Sequence, residues 1–581
     1  MAAKWAIVKD EPVKELLGNI NSSLIQRLLE RKYGGDASKV PTIEYLAVNP
    51  TTVPYDLADV KRTQIDEEIT FQFGSTLPEA SAWLEVLGGP ELNWLRALAT
   101  STTVVQGASY IDNPLRRILA PRPGQKVVVN YDGTIPYSVT VYGAARSYGQ
   151  HVVDFKALEV EYDDESNLID VTLYEERKGV SVPLSLHFEY KPSQGFAPIH
   201  ELSDGRNKRI KEFYWKLWYG DDATLPKIDI HETFVGPEIT IEAKDVEQFC
   251  AVVGNQGESF KTVRNENVQA PMDFAIVTGW KVCCKSHFFT NLLIFFLLFQ
   301  AIMKSIFPAA IDGDLLKLVH LSNGFRMVDG AKPLQVGDVC KAEARIVSVI
   351  NANEGKIVKV KGHVYREGKK VIEVISSFLY RGRFVDYENT FDTTEEPDYM
   401  VPLETDAQVG VLQSKEWFEW ENESSPLLAG TSLVFRIQSR VFFKDRTAYR
   451  NVSVSGDIFV RNQLKVLVKV GSVDFQQDDS QGNPVLAYLQ RHGSPQGLTV
   501  PFANDGYTLT NADSATTFNA PLTNEAYSKI SGDFNPIHIN PYFSDFASLP
   551  ATITHGLWSS AATRRYVENV VAKGHPDRVI A

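Results

Sequence analysis

The sequence predicts an α+β protein made of several packed units. At 581 residues the chain is too long for one hydrophobic core. Its apolar residues follow a helical period up to about Leu119 and then alternate with polar residues, as in an antiparallel sheet. From about Ser203 onward helical and strand patterns mix, and part of this mixed pattern occurs twice. These observations predict a helical segment, an antiparallel sheet and repeated mixed units, in that order.

A helical connector is predicted over residues 1–122. Its first helix begins at Asp10, has Pro12 in its first turn and ends at Gly34-Gly35. The apolar residues that share one face of this helix are Val13, Leu16, Leu17, Ile20, Leu24, Leu28 and Leu29. The segments EASAWLEVLGG and ELNWLRALAT are predicted to be further helices.

An antiparallel β meander is predicted over residues 123–200. Short turn sequences such as DG, DDESN and RKG separate runs in which apolar and polar residues alternate. The predicted strands are KVVVNY, YSVTVYG, HVVDFKALEVEY, LIDVTLYEER and VSVPLSLHFEY.

An internal repeat is predicted between a segment beginning at Phe249 and one beginning at Tyr527. The aligned pairs are Gly254 with Gly532, Asn255 with Asp533, Phe260 with His538 and, after a one-residue slip, Gly279 with Gly556. The strands VCKAEARIVSVI, KIVKVKGHVYREG and KVIEVISSFLYRG follow the first copy. Because asparagine cannot act as an acid and phenylalanine cannot accept a proton, the first copy is predicted to be catalytically inactive.

The composition argues against several classes of function. The 72 acidic residues outnumber the 59 basic ones, the net charge is −13 and no long basic run is present, so nucleic acid is not an expected partner. The cysteines at positions 250, 283, 284 and 340 have neither disulfide-framework nor metal-site spacing. The N-terminus lacks the pattern of a signal peptide. We therefore expect a cytoplasmic protein.

A strongly apolar run extends from Phe288 to Met303. Its unbroken core, Leu292 to Phe299, is eight residues long, whereas a helix that spans a membrane needs about 20. No membrane segment is therefore expected.

Residues 282–300, which contain most of this run, interrupt a helical pattern. Removing them joins Lys281 to Ala301 and places the following apolar residues on one helical face: Ile276, Val277, Trp280, Ile302, Met303, Ile306 and Phe307. The segment opens with Val-Cys and closes with Gln, which splice-donor and splice-acceptor sequences can encode. We interpret it as translated intron; the alternative is a genuine apolar loop insertion.

The stretch SGDFNPIH, from Ser531 to His538, brings together a carboxylate, an amide and an imidazole. A GD-x-NP sequence alone is an ordinary Asx turn, and a histidine shortly after it is usually surface decoration. Here the sequence THGLWSS follows, with Gly556 at the start of an apolar helical pattern, and a degenerate copy lies upstream. These two features favour a functional site. His320 and His363 have no acidic partner at a suitable spacing and are predicted to be structural.

The motif SGDFNPIH with the helix start THGLWSS resembles the G-D-x-N-P-x-H motif of MaoC-like dehydratases and enoyl hydratases, which have the hotdog fold. More closely, HLSNGFRM, FLYRGRF, EFYWKLWYG and the N-terminal VKDEPVKELLG resemble the dehydratase region of the fungal-type fatty acid synthase beta subunit. The resemblance covers essentially the whole chain apart from residues 282–300. It implies a region of a multifunctional enzyme of fatty acid biosynthesis.

The resemblance also implies a division into consecutive units. These are a helical connector on the enoyl reductase side (1–122), the meander (123–200), a degenerate first hotdog-like unit (203–390), a β-rich middle hotdog-like unit (391–500) and the catalytic MaoC-like hotdog (501–581). In the family, strands that wrap the hotdog helix follow it, whereas this sequence ends at Ala581. The last unit is therefore predicted to be C-terminally incomplete.

Dehydration of a 3-hydroxyacyl thioester, the reaction that the resemblance implies, needs a base at C2, an acid at the C3 hydroxyl and a donor at the thioester oxygen. Asp533 and His538 are the predicted catalytic pair, and which of them moves each proton is left open. Asn535 is expected to fix the loop and contact the hydroxyl. The backbone N–H of Gly556, at a helix N-terminus, is expected to bind the carbonyl oxygen. His555 is predicted to be structural and to line the substrate tunnel.

Two functions remain open at this stage. The first is a (3R)-hydroxyacyl-[acyl-carrier-protein] dehydratase, a hydro-lyase whose substrate is carried on the phosphopantetheine arm of a partner acyl carrier protein. Its expected partners are that carrier protein and the synthase alpha subunit, in a large hetero-oligomer, and no metal or redox cofactor is expected because nothing is oxidised. The second is a noncatalytic scaffold fragment of the synthase, inactive because its catalytic hotdog is truncated.

Sequencing the spliced messenger RNA tests the intron interpretation. We expect the mature transcript to lack the codons for residues 282–300, because their removal restores a continuous amphipathic helix. A mature transcript that retains these codons would show that the run is a genuine insertion.

Overall fold

The structure is a computed structural model. Apart from the strands of residues 6–7, 45–46, 67–72, 104–105 and 108–109, it describes residues 93–100, 125–132, 135–143, 156–177, 180–194, 198–220, 223–255, 260, 268–275, 301–422, 425–461, 466–496, 519–549 and 551–571. Within these residues the α-helices are α1 (Asn93–Thr100), α2 (Arg206–Tyr219), α3 (Ala243–Val252), α4 (Ala301–Lys304), α5 (Asp406–Gln413), α6 (Pro484–His492), α7 (Glu525–Ser531), α8 (Pro541–Phe546) and α9 (Gly556–Tyr566). None of these helices has the length and apolar character needed to cross a membrane.

The meander is an antiparallel sheet with the strand order β11-β10-β9-β8-β7-β6-β3. The strands of this half of the chain are β1 (Ala6–Ile7), β2 (Tyr45–Leu46), β3 (Glu67–Gln72), β4 (Val104–Val105), β5 (Ala108–Ser109), β6 (Gln125–Asp132), β7 (Ile135–Gly143), β8 (Lys156–Asp163), β9 (Leu168–Arg177), β10 (Val180–Tyr190) and β11 (Ile199–Glu201). The predicted meander strands are confirmed to within a few residues at most of their ends. In β10 the buried side chains alternate along the strand, and helix α2 packs against it.

The predicted helical connector also contains strands: β1 pairs with β2, and β4 pairs with β5. Strand β3 pairs with β6 and extends the meander sheet into residues 1–122. Its sequence, EEITFQ, places Ile69 and Phe71 two residues apart, the spacing of a strand face rather than a helix face. Helix α1 confirms the helix predicted from ELNWLRALAT. The first predicted helix, residues 10–35, lies outside the described residues.

A second, larger antiparallel sheet contains both the first and the middle unit. Its strands are β12 (Phe234–Thr240), β13 (Leu318–Met327), β14 (Val339–Asn351), β15 (Gly355–Arg366), β16 (Lys369–Arg381), β17 (Phe391–Glu395), β18 (Asp398–Leu403), β19 (Phe418–Trp420), β20 (Thr431–Phe443), β21 (Tyr449–Arg461), β22 (Leu467–Ser480) and β23 (Ser494–Gln496). Strand β17 pairs with both β14 and β20, and so joins the two halves into one sheet. The three strands predicted after the first copy are confirmed as β14, β15 and β16.

The helix predicted across the suspected intron is described only at its C-terminal end. Helix α4 ends at Lys304, before the predicted Ile306 and Phe307. The predicted apolar residues in this part, Ile302, Met303, Ile306 and Phe307, are all buried. The rest of that prediction, including residues 282–300, lies outside the described residues.

The buried apolar side chains of the described ranges form two clusters. One contains side chains of the meander, the first unit and the last unit, and the other belongs to the middle unit. Polar contacts also attach the last unit to its neighbours. Asn540 donates to Glu175 Oε2 of the meander at 2.7 Å, and Trp558 Nε1 donates to the Val252 carbonyl at 3.0 Å. The last unit is therefore packed on two other units.

The last helical segment, predicted to be apolar, also buries charged side chains. Arg564 on α9 is buried and forms ion pairs with Glu568 and, at 2.9 Å, with Asp273 of the first unit. A buried guanidinium needs such carboxylate partners, because an unpaired charge would be costly to desolvate.

A buried ion cluster joins the meander to the first unit. The Arg206 guanidinium, at the start of α2, pairs with Glu201 of β11 and with Asp314 Oδ2 at 2.7 Å. Arg206 is fully buried, and Asp314 is 4% exposed. Both carboxylates pair with the same guanidinium, so its removal weakens the compensation of both. Asp314 keeps a longer contact with Lys317 Nζ, at 3.6 Å.

Replacing this guanidinium should destabilise the protein. Arg206→Met takes this guanidinium away from the buried Glu201 and Asp314, so we expect a loss of about 3–5 kcal/mol in the free energy of unfolding. Urea denaturation monitored by tryptophan fluorescence measures the change. Lys208→Met on the same helix is the matched control. Lys208 is exposed, and its ion pair with Glu212 is long, at 3.9 Å, so its loss should cost little stability. Equal stability of the two variants would contradict a stabilising role for the cluster.

Candidate active site

The motif loop begins with a left-handed turn at Gly532. Helix α7 ends there, with Gly532 at φ +82° and its N–H donating to the Ser528 carbonyl at 2.9 Å. Glycine adopts this conformation without the steric cost that a Cβ would bring. Gly254, its predicted counterpart, follows helix α3 and also has a positive φ, +71°. The two copies thus share the same local turn.

A ladder of short-range hydrogen bonds holds the loop after Gly532. The Asn535 N–H donates to Asp533 Oδ1 at 3.1 Å, and the Ile537 N–H donates to Asn535 Oδ1 at 3.3 Å. Tyr214 on helix α2 also donates its hydroxyl to Asn535 Oδ1, at 3.1 Å. With two donors on its oxygen, Asn535 has its amide nitrogen left for a substrate. The backbone of this loop therefore forms the Asx turns that the sequence indicates. These turns engage the side-chain oxygens of Asp533 and Asn535 and do not require the Asn535 side-chain N–H groups.

His538 is held in one tautomer. Its Nδ1 lies 2.8 Å from the Ile553 carbonyl oxygen. Because a carbonyl oxygen only accepts, Nδ1 carries the proton and Nε2 has a free lone pair. Burial lowers the pKa of His538 to about 4, so the ring is neutral near pH 7. A neutral imidazole with a free Nε2 can act as a general base.

The pKa of Asp533 is shifted in the opposite direction, upward. Asp533 is 7% exposed, and burial raises the pKa of its carboxyl to about 7, although the hydrogen bond from the Asn535 backbone opposes the rise. A carboxyl with that pKa is largely protonated below neutral pH. The loop therefore combines a base that stays neutral with an acid that keeps its proton.

His555 contacts both Asp533 and His538. Its ring stacks on that of His538, with centroids 3.8 Å apart and planes 25° apart. Its Nε2 lies 3.2 Å from the Asp533 carbonyl oxygen, so this nitrogen is the donor, and it is 3.8 Å from Asp533 Oδ2. Burial, followed by the nearby His538, lowers the pKa of His555 well below its usual value. A neutral His555 can thus orient both Asp533 and His538.

Gly556 is the first residue of helix α9, with His555 at the N-cap. The backbone N–H groups of a first helical turn have no partner within the helix and point toward its N-terminus. His320 of strand β13 lies against this turn: a Cβ added at Gly556 would be 3.3 Å from His320 Nδ1. A side chain at this position would be in tight contact with His320, whereas glycine leaves the N–H of the turn accessible.

Sequence reasoning missed two residues of this site. Tyr214 belongs to the quoted segment EFYWKLWYG, but nothing in that segment indicates that its hydroxyl reaches a loop 321 residues away. His320 was predicted to be structural because it lacks an acidic partner at a suitable spacing. The structure places it beside Gly556 and close enough to His538 that His538 contributes to lowering its pKa.

The corresponding place in the first copy is occupied differently. Asn255 and Phe260 are 5% and 2% exposed. The Arg565 guanidinium donates to the Gly254 carbonyl at 2.7 Å, and a Cβ on Gly254 would be 2.3 Å from this group. An arginine thus fills the space beside the first turn. Gly279, the predicted counterpart of Gly556, lies outside the described residues.

Three side chains of the site could also hold a metal ion. One ligand atom from each of Asp533, His538 and His555 lies within 4.8 Å of the others. A metal on His538 Nδ1 or His555 Nε2 would displace the hydrogen bonds to the Ile553 and Asp533 carbonyls. Within the ranges that the structure describes, these nitrogens are engaged in positioning the rings.

Known protein families match the chain in four consecutive segments. They are the fatty acid synthase meander beta sheet domain over residues 74–221, the MFE-2 hydratase 2 N-terminal domain over 240–382, the fatty acid synthase subunit beta insertion domain over 391–489 and the MaoC like domain over 502–581. Five of the site residues described above lie in the MaoC-like match: Asp533, Asn535, His538, His555 and Gly556.

Whole-chain relatives agree with these matches. Fatty acid synthase subunit beta of Schizosaccharomyces pombe is 42% identical over an alignment that covers 100% of this chain. The subunit of the same name from Saccharomyces cerevisiae is 38% identical, again over 100% of this chain. The chain is homologous to one segment of the fungal fatty acid synthase beta subunit. The resemblance inferred from the sequence motifs is thereby confirmed.

This synthase segment spans 27% of the length of each of the two relatives. The candidate site contains residues from three of the four matched segments. Asp533 and His538 lie in the MaoC-like match, His320 in the hydratase 2 match and Tyr214 in the meander match. The site therefore depends on the packing of the units against one another.

Proposed function

We propose that this segment is a (3R)-hydroxyacyl-[acyl-carrier-protein] dehydratase, a hydro-lyase of fatty acid biosynthesis. The observation that carries the proposal is the buried pair of Asp533, with a pKa of about 7, and His538, with a free Nε2 and a pKa of about 4. At neutral pH the pair holds an acid and a base at once, which elimination of water requires. The MaoC-like match over the same residues supports this reaction class.

The reaction is assigned to the residues as follows. His538 Nε2 removes the proton from C2 of the 3-hydroxyacyl thioester, and negative charge moves onto the thioester oxygen. The Gly556 N–H stabilises that oxygen at the N-terminus of α9. Asp533 gives its proton to the C3 hydroxyl, which leaves as water while the C2–C3 double bond forms. The Asn535 amide orients the hydroxyl, and His555 orients the catalytic pair.

The substrate and partners follow from the same proposal. The acyl chain is carried on the phosphopantetheine arm of an acyl carrier protein, and the synthase alpha subunit joins the segment in a large hetero-oligomer in the cytoplasm. The reaction transfers no electrons, so it needs no redox cofactor. We also propose the units predicted from the sequence, with catalysis in residues 501–581 and an inactive first copy in residues 203–390.

Removal of either catalytic group should abolish most of the activity. We expect His538→Ala and Asp533→Asn each to lower kcat by at least about 10²-fold, because each removes a positioned acid–base group. The assay follows the absorbance of the 2-enoyl thioester formed from a 3-hydroxyacyl pantetheine thioester. A wild-type rate in either variant would contradict the assignment, and an inactive wild-type protein would favour the noncatalytic scaffold.

The first copy provides a matched control. The double change Asn255→Asp and Phe260→His restores the motif residues of that copy in a His538→Ala background. We expect no recovered activity, because Arg565 occupies the space beside the Gly254 turn. Recovery of turnover would show that the first copy is a latent second site.

The pH dependence of kcat/KM should reflect the protonation of Asp533 and His538. Below about pH 4 His538 becomes protonated and cannot accept the C2 proton, and above about pH 7 Asp533 ionises and cannot protonate the hydroxyl. We therefore expect kcat/KM to be bell-shaped, with limbs near these values. Asp533→Asn should remove the alkaline limb from the residual activity. An alkaline limb that persists in this variant would assign it to another group.

A further inference from the structure

His320 is the one imidazole beside the described site to which the proposed mechanism gives no role. It lies on strand β13, in the first unit, whereas Asp533, His538 and Gly556 belong to the last unit. Its Nδ1, Cβ and Cγ lie 3.3, 3.6 and 3.8 Å from the position that a Cβ on Gly556 would take. The imidazole therefore faces the first turn of helix α9, where the proposed mechanism puts the thioester oxygen.

The strand is irregular where it presents this side chain. His320 pairs with Phe378 and Ser322 pairs with Ser377, so Leu321 is an extra residue in the ladder between β13 and β16. Leu321 is 51% exposed, and Ser322 after it is exposed as well. Two successive exposed residues break the alternation of faces that a regular strand shows. Bulges redirect neighbouring side chains and are common next to active sites.

The His320 ring has hydrogen-bonding capacity that is not used within the protein. Its Nε2 is buried and makes no hydrogen bond to any residue that the structure describes. A buried polar atom without a partner is costly, and such atoms are rare in folded proteins. The ring also packs against Phe378, with centroids 5.3 Å apart, which limits its motion. A substrate oxygen at the Gly556 turn would face Nδ1, the ring nitrogen nearest that turn, without movement of the ring.

The charge state of His320 suits this position. Burial, followed by the nearby His538, lowers the pKa of His320 to about 4, so the ring is neutral near pH 7. A neutral donor can polarise a carbonyl without placing a cation beside His538, which would depress the basicity of its Nε2. The donor is also preorganised, so no solvent needs to rearrange as charge develops.

We propose that His320 is a further catalytic residue, which donates its imidazole N–H to the thioester carbonyl oxygen alongside the backbone N–H of Gly556. The proposal rests on the dehydratase function proposed above and adds a donor from the first, acid–base-inactive copy. That copy then contributes to catalysis by stabilising the negative charge on the thioester oxygen rather than by transferring a proton.

Two variants separate the donor from the shape of the ring. His320→Phe keeps an aromatic ring against Phe378 but removes the N–H, and His320→Gln keeps a donor. We expect the Phe variant to lower kcat by about 10²-fold with a smaller change in KM, and the Gln variant to recover part of that loss. His363→Phe is the matched control on strand β15 of the same unit, where His363 faces Glu373 at 3.5 Å, and should leave the rate unchanged.

A binding measurement tests the contact without turnover. In a His538→Ala background, a 2-enoyl pantetheine thioester labelled with ¹³C at its carbonyl should bind with a lowered infrared carbonyl stretch. Adding His320→Phe should return that stretch toward its value in buffer. If the Phe variant does not fold, His320→Met and His320→Gln, which have similar size and differ in the donor, replace it in both experiments.

The outcomes distinguish this proposal from the function on which it rests. A wild-type protein without dehydratase activity would overturn the function. A wild-type protein that is active and loses activity on His538→Ala, but keeps its rate and carbonyl stretch on His320→Phe, would overturn only the role of His320. Equal losses in the Phe and Gln variants, with the stretch unchanged, would also overturn it, since shape rather than the donor would then matter.

Discussion

Desolvation of Asp533 and His538 is the constraint on which the site depends. In water the carboxyl would be ionised at neutral pH, and about a quarter of the imidazole would be protonated. Burial disfavours both charged forms, so it raises one pKa to about 7 and lowers the other to about 4. The last unit is buried in this way because it packs on the meander and on the first unit, with which it shares a hydrophobic cluster.

The groups that orient the pair are mostly uncharged for the same reason. His538 and His555 each donate to a backbone carbonyl, and Asn535 accepts from Tyr214 and from the Ile537 N–H. Such neutral hydrogen bonds fix tautomers and rotamers without adding charge to a site of low polarity. Two buried arginines of the described ranges, Arg206 and Arg564, are each paired with carboxylates.

The two aligned copies differ in the groups that they bring to the candidate site. The first copy keeps the left-handed glycine turn at Gly254 but has an arginine of the last unit beside it. Its strand β13 nevertheless carries His320 to the N-terminus of α9. The proposed mechanism therefore takes its acid–base groups from the second copy and His320 from the first.

The sequence alone determined the features that depend on near neighbours. Alternation of apolar and polar residues predicted the meander strands and β14 to β16, and the GDFNPIH motif identified Asp533, Asn535 and His538, because strand periodicity and Asx turns are local properties. Only the tertiary structure decided the rest. The protonation states come from burial between units, and Tyr214 and His320 reach the site across more than 200 residues of chain. Strand β3 pairs with β6, which lies in a separate segment of the chain. A local sequence pattern does not reveal a pairing between distant segments.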